Sequence, residues 1–238
     1  MPYFYYYYDP TWILLLIGAV ICMIASARVR TTFNKYSKVY SHTGMTGAEA
    51  ARRILDSRGI YDVQVVPTQG NLTDHYDPRD RTLRLSQTVY GASSVAAVGV
   101  AAHECGHAIQ DAEDYSPLRI RTALVPVANF GSSVSMILII AGIIFGFGRG
   151  GSSLLLNLGI LCFSLVVLFQ LVTLPVEFNA SKRAMVLLQD LGILYPEEAA
   201  KTKKVLSAAA LTYVAGALSS LLQLLRLVIL FGGRRDND

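Results

Sequence analysis

The residues most able to do chemistry are two histidines and a glutamate in the segment His103-Glu-Cys-Gly-His107. Side chains four residues apart lie on one face of a helix, one turn above the other, so both imidazoles can bind one metal ion. Zinc accepts histidine nitrogens and lowers the pKa of a bound water to about 7. Glu104 can then take a proton from that water. The spacing predicts a hydrolytic zinc site on a helix.

The segment before this HExxH pattern indicates that the helix is buried. The run from 95 to 102 is apolar on every side and leads directly into His103. Buried histidine and glutamate side chains need partners, and a metal ion supplies them. We expect the motif helix at 93–111. Its apolar run is too short to cross a bilayer, so the site belongs to the polar part of the chain.

The composition is typical of an integral membrane protein. Of 238 residues, 53% are hydrophobic and 16% are charged, whereas a soluble domain carries about 25% charge. The net charge is +4, and the lysines and arginines lie beside the apolar segments, so we expect them to set the orientation of the chain in the membrane. The chain has no motif that combines aromatic and basic residues, so we expect no nucleic-acid partner. The three cysteines lack CxxC spacing and predict neither disulfides nor a cysteine-rich metal site.

Apolar and polar segments divide the chain into five parts. We expect a membrane anchor at 1–27, an α+β region with the HExxH helix at 28–125, a transmembrane hairpin at 126–174, a helix with a third zinc ligand at 175–207, and a C-terminal apolar helix that spans the membrane at 208–238. The apolar run of the C-terminal helix is 208–231, in which Arg226 would cost about 2.5–3.5 kcal/mol at a span's centre unless it reaches the interface. The alternative is a helix packed against the zinc domain at the membrane face, which Arg234 and Arg235 after the run favour because a fourth span would place them outside. The prediction is three to four transmembrane helices.

Basic residues predict the orientation of the chain in the membrane. Those that follow the first span are Arg28, Arg30, Lys35 and Lys38. No basic region precedes it, so the span is a retained anchor with its C-terminal end in the cytoplasm. The short loop at 148–151 makes the hairpin antiparallel and returns Lys182 and Arg183 to the same side.

The polar region predicts a small mixed unit. We expect a helix at 48–58 that begins with a Thr46–Glu49 capping box, a strand at 61–66 that closes at Pro67, a turn at 74–80, and a strand at 82–86 with one solvated face. We expect the strand at 82–86 to bind an extended peptide by edge pairing.

A catalytic zinc needs a third protein ligand and an open position. Asp111 is excluded because it lies about 12 Å along the same helix from His103. His75 and His42 remain alternatives. We prefer Glu177, which the hairpin returns to the membrane side of the motif helix. It shares a helix face with three small residues that let another helix approach closely, namely Ala180, Ser181 and Ala184.

The chain resembles the YugP family of bacterial membrane zinc metallopeptidases. The matching segments cover most of its length and lie at 72–79, 103–107, 126–130, 174–181 and 208–215. It is more distantly similar to the HtpX heat-shock proteases and the CAAX prenyl proteases. Those proteins also place membrane helices between HExxH and a later glutamate.

The resemblance implies a helical membrane protein with a small α+β zincin-like metalloprotease domain. It implies a gluzincin-type site in which His103, His107 and Glu177 bind Zn²⁺ and Glu104 is the catalytic base. It further implies a bacterial protein that acts on peptides or membrane proteins. The spans and the basic residues beside them predict a multi-pass protein of the plasma membrane with a catalytic site that faces the cytoplasm. Contact with the lipid bilayer follows from the spans.

One position departs from the wider group of relatives. They usually place an aspartate four residues after the ligand glutamate, where it supports a motif histidine, but this chain has Ser181. Asn179, Asp111 or Asp114 are the candidates to replace it. An outer-shell partner is worth about 10- to 100-fold in metal affinity or activity, so the identity of this partner matters.

Two other functions compete with proteolysis. A zinc-containing scaffold or holdase would use the metal for structure alone. A metal transporter would place its ligands inside the spans, which the short apolar run before His103 argues against. Tyr213 is a candidate donor to the oxyanion of a protease, and its alternative is a core or interface position.

Overall fold

The structure is a computed structural model that describes residues 9–146 and 153–232. Within these residues the elements follow in the order α1 (Trp12–Tyr36), α2 (Gly47–Ser57), β1 (Gln64–Thr68), β2 (His75–Asp77), β3 (Thr82–Ser86), α3 (Gln87–Tyr90), α4 (Val95–Ala112), α5 (Ser116–Gly146), α6 (Ser153–Asp190) and α7 (Pro196–Phe231). The loop predicted at 148–151 lies outside the described residues.

Four of the described helices are long and apolar enough to cross a membrane: α1, α5, α6 and α7. Together with the three-stranded sheet, they confirm the predicted helical membrane protein with a small α+β part. Helix α7 contains residues 208–231 of the predicted C-terminal segment, so the structure has the fourth candidate span. Helix α6 continues through Pro175 rather than ending there.

The chain forms two compact units. The membrane unit contains the described residues of 1–24, 124–171 and 214–238, and the site unit contains 25–123 and 172–213. Each of the four long helices contributes residues to both units, which follows from where the boundaries fall along the chain.

In the membrane unit, α1 and α7 pack antiparallel. Arg226 near the end of α7 donates to Asp9 before α1, with 2.7 Å between Nη2 and Oδ2. Further along α1, a Cβ added to Gly18 would lie 2.6 Å from the Ser219 hydroxyl, so the two backbones approach closely at small residues. The charge of Arg226 is therefore balanced by a partner within the protein.

The first helix of the site unit begins as predicted. The Thr46 hydroxyl accepts a hydrogen bond from the Glu49 backbone N–H, and the Glu49 carboxylate accepts from the Thr46 backbone N–H. This reciprocal pair is a capping box. Helix α2 ends before Gly59, whose φ of 70° suits a glycine. It buries Ile54 and Leu55 completely.

The sheet has the order β1-β3-β2, with β1 parallel and β2 antiparallel to β3. Two sequence predictions are wrong here. Pro67 lies inside β1 rather than closing it, which is permitted because an edge strand tolerates a missing N–H. Residues 75–77 form β2 rather than part of a turn, because they pair with β3.

Strand β3 occupies the predicted residues but not the predicted environment. It is the central strand, and only Arg84 among its five side chains is partly exposed. Its backbone groups are already paired with β1 and β2. The predicted solvated face and edge pairing with substrate are therefore wrong for β3.

The motif helix α4 is the centre of the site unit's core. Ser94 caps its N-terminus by accepting a hydrogen bond from the Ala97 backbone N–H at 3.1 Å. Its first two turns are buried, with Val100 alone partly exposed between 95 and 102. The predicted buried helix is thus confirmed, and His103 and His107 follow directly from it.

Candidate metal centre

Helices α4 and α6 bring His103, His107 and Glu177 together. One ligand atom from each residue lies within 4.8 Å of the others. Oε2 of Glu177 is 3.2 Å from Nε2 of His103 and 3.6 Å from Nε2 of His107. The glutamate is only 3% exposed, although it is 70 residues or more from the histidines in sequence.

The close approach of the two helices depends on Gly106. A Cβ added there would lie 2.6 Å from the Ala180 carbonyl oxygen and 3.0 Å from its Cα. Real Cβ atoms do not approach backbone this closely, so α4 and α6 are in backbone contact. The small face predicted on α6 is present, since Ala180 and Ala184 are fully buried. This contact sets the distance between the imidazoles and Glu177.

We expect Gly106→Ala to push α4 away from α6 and weaken the metal site. Overpacking of this kind typically lowers the free energy of unfolding by about 1–3 kcal/mol. Thermal unfolding in detergent and zinc content should both show a loss. Gly91→Ala is the matched control, because an added Cβ meets nothing within 4 Å there and the glycine φ is −98°. A Gly106→Ala protein with wild-type stability and zinc content would contradict this view of the helix contact.

The ring nitrogens that face away from Glu177 also have partners. The Ser181 hydroxyl lies 3.1 Å from Nδ1 of His103, so the residue at the unusual position itself contacts the motif histidine. Oε1 of Gln110 lies 3.1 Å from Nδ1 of His107. Gln110 was not predicted from the sequence. Its position three residues after His107 on the same helix could have suggested it.

The other candidates for that supporting role lie elsewhere. Asp111 accepts a hydrogen bond from the Tyr76 hydroxyl at 2.8 Å, which ties β2 to α4. Asp114 follows the end of α4 with a φ of 52° and pairs with Arg119. Asn179 contacts Gln110 rather than a histidine.

The alternative third ligands are not part of the group. His75 lies in β2, where its Nδ1 is 2.8 Å from the Thr73 carbonyl oxygen. His42 pairs with Glu198 at 2.8 Å and stacks on the Tyr195 ring at 3.4 Å between centroids. Within the described residues, the group with Glu177 is the one in which three metal-ligating side chains converge.

A cavity of about 320 Å³ opens beside His103. His103, Glu104 and Tyr213 line it together with apolar side chains, and Arg30 and Asp74 add charge to the wall. Glu104 is 8% exposed and lines the cavity. A carboxylate in such a position can exchange protons with a molecule in the cavity.

Electrostatics near the site favours cations. Burial lowers the pKa of His107, but its hydrogen bond to Glu177 and the charges of Glu104 and Glu177 outweigh burial and raise it. A proton and a metal ion therefore compete for this ring as the pH falls. Burial raises the pKa of the Cys105 thiol far above its usual range, so Cys105 stays protonated and is neither a nucleophile nor a ligand.

The residues present fit a zinc ion. Two imidazoles and one carboxylate are a donor set that catalytic zinc uses, with the fourth position left for water or substrate. Their ligand atoms converge, and the cavity beside His103 and Glu104 provides space on one side. Alkaline earth ions prefer sites made of oxygen ligands, which this one is not.

Comparisons with known proteins agree with this chemistry. The family model described as "Putative neutral zinc metallopeptidase" matches residues 11–232. The chain is 50% identical to the "Putative membrane protease YugP" of Bacillus subtilis (strain 168) over 228 residues, which are 95% of this chain and 99% of the relative. No solved structure matches the chain significantly.

Proposed function

The chain belongs to the neutral zinc metallopeptidase family, and from that premise we propose that it is a membrane-embedded zinc endopeptidase of the gluzincin type. The observation that carries the proposal is the convergence of His103, His107 and Glu177 beside a cavity that Glu104 lines. A purely structural zinc site is closed by four protein ligands, whereas a catalytic one keeps a position open.

The roles of the side chains follow from their places. His103, His107 and Glu177 would hold the zinc, which when bound polarises a carbonyl and acidifies a water molecule. Glu104 accepts a proton from the attacking water and returns it to the amine nitrogen that leaves. Tyr213 lines the same cavity, and its hydroxyl would donate to the oxyanion that develops on the peptide carbonyl.

The substrate is a peptide or a membrane protein that enters in extended form. Strand β3 is unavailable for pairing, but β2 is an edge strand of the sheet. Leu72 and Asp74, just before β2, line the cavity with His103. We therefore place the substrate along β2, where backbone hydrogen bonds would supply affinity without specifying sequence.

We propose that the catalytic site faces the cytoplasm of a bacterial cell. The basic residues after the apolar part of α1, beginning with Arg28 and Arg30, support this orientation by the positive-inside rule. The part of α1 that carries them belongs to the site unit, as does the zinc group.

One experiment tests both activity and orientation. Casein is added to inside-out and to right-side-out membrane vesicles that contain the protein. We expect cleavage in the inside-out vesicles, loss of cleavage with a zinc chelator, and recovery when zinc is restored. Cleavage that continues in the presence of the chelator would contradict the zinc mechanism. Cleavage confined to right-side-out vesicles would contradict the proposed orientation. Retained zinc without any cleavage would favour a scaffold or holdase.

A further inference from the structure

We propose that Gln110 is a positioning residue that selects the tautomer of His107, placing the ring proton on Nδ1 so that Nε2 offers its lone pair to the metal. The inference rests on the proposed zinc site and adds a residue to it. Gln110 is fully buried on α4, and its Oε1 lies 3.1 Å from Nδ1 of His107.

The orientation of the Gln110 amide follows from partners that can only accept. Its Nε2 lies 2.9 Å from the Val176 carbonyl oxygen, which has no proton to give. The same Nε2 lies 2.9 Å from Oδ1 of Asn179. Both N–H groups of the amide are thus donated to α6. An amide turned the other way would place its oxygen against the Val176 carbonyl, and neither atom could donate.

The Asn179 amide is itself fixed by a group that can only donate. Nε of Arg183 donates to Asn179 Oδ1 at 2.7 Å, and Arg183 also donates to Glu113 at 2.6 Å. A guanidinium has no acceptor, so the Asn179 atom that it meets must be the oxygen. The direction of hydrogen bonding therefore runs from Arg183 to Asn179, and Gln110 is required to donate to Asn179.

The fixed orientation of the Gln110 amide determines which nitrogen of His107 carries a proton. With both of its N–H groups used, Gln110 has only Oε1 left for His107, so Nδ1 of that ring must carry the proton. With zinc bound, the lone pair of Nε2 would point to the ion that Glu177 also binds, whereas without the ion Nε2 can hold a proton toward the Glu177 carboxylate. His103 differs, because the Ser181 hydroxyl at its Nδ1 can donate or accept and does not dictate a tautomer. Gln110 thus prepares one of the two histidines for the metal.

The test compares two substitutions that break the same bonds to α6. Gln110→Met removes the acceptor for His107 and both donors, whereas Gln110→Glu keeps an acceptor and loses the donors to Val176 and Asn179. We expect Gln110→Met to weaken zinc binding by about 10- to 100-fold, as loss of an outer-shell partner does. We expect Gln110→Glu to keep an affinity close to that of the wild type. Zinc affinity is measured by competition with a chromophoric chelator.

A merely structural role predicts something different. Both variants lose the bonds to Val176 and Asn179, so a structural role would lower melting temperature and zinc affinity equally in the two. Equal losses, or wild-type affinity in Gln110→Met, would overturn the proposal. Gln189→Met is the matched control, since Gln189 is an exposed glutamine on α6.

A second measurement needs no substitution that could prevent folding. In zinc-loaded wild-type protein with ¹⁵N-labelled histidine, His107 should show a protonated Nδ1 and an Nε2 without a proton. The opposite tautomer would overturn the inference while leaving the zinc peptidase proposal intact. Failure of the wild-type protein to bind zinc would instead contradict the proposed function, so the two failures are distinguishable.

Discussion

Glu104→Gln should leave zinc bound and abolish cleavage. The carboxamide has nearly the shape of the carboxylate, but it cannot accept a proton from water and return it to the leaving amine. General acid–base catalysis contributes about 10²- to 10⁴-fold to the rate. The rate of cleavage should therefore fall by at least about 100-fold. Glu104 lies beside the metal group rather than in it, lining the cavity with His103. Zinc stoichiometry and casein cleavage are measured on the same preparation.

The control for this substitution is Glu197→Gln. Glu197 is exposed in the first turn of α7, so the same chemical change there should alter neither zinc content nor rate. Cleavage at the wild-type rate by Glu104→Gln would contradict the assignment of Glu104 as base. Loss of zinc from this variant would show instead that Glu104 helps to bind the metal.

The histidine pair could be predicted from sequence because its geometry is a property of one helix. Four residues of helix place His103 and His107 on one face whatever surrounds them. The apolar run before them also indicated burial, since a helix that is apolar all round has no solvated face. The prediction of Glu177 needed more, namely a hairpin that returns the chain and a face of small residues. The structure brings Glu177 to both histidines.

The sheet could not be predicted to the same extent because its pairing is not local. Residues 75–77 contain histidine and aspartate next to a proline, which favours a turn. They become a strand because β3 supplies hydrogen-bond partners, and tertiary context overrides local preference in short strands. The same context places β3 in the centre, so an alternating sequence proved to be a buried strand.

The hydrogen-bond partner that supports His103 could not be predicted from the sequence either. Serine is a shorter side chain than aspartate, so replacing one by the other suggested that the role had moved. Ser181 nevertheless reaches His103, because Gly106 allows the backbones of α4 and α6 to touch. Sequence shows that a residue is small, but the benefit of its size depends on which backbone lies opposite.

Glu177→Ala should remove zinc from the protein and cleavage with it. The carboxylate lies between the two imidazoles, 3.2 Å from one and 3.6 Å from the other, and is almost completely buried. Without it, two neutral nitrogens would have to hold a divalent cation with no negatively charged ligand. Loss of a direct ligand should lower zinc affinity by more than the roughly 100-fold that an outer-shell partner is worth. Zinc content after dialysis against a weak chelator measures this.

Asp190→Asn on the same helix is the control, because Asp190 is exposed at the end of α6 and its charge should not matter for zinc. Full zinc content in Glu177→Ala would mean that the third ligand is another residue and would end the gluzincin assignment. The two glutamate substitutions together separate binding from chemistry. Glu104→Gln should lose cleavage and keep zinc, whereas Glu177→Ala should lose both, because only Glu177 lies between the histidines. A scaffold that uses zinc for structure alone has no reason to show this difference.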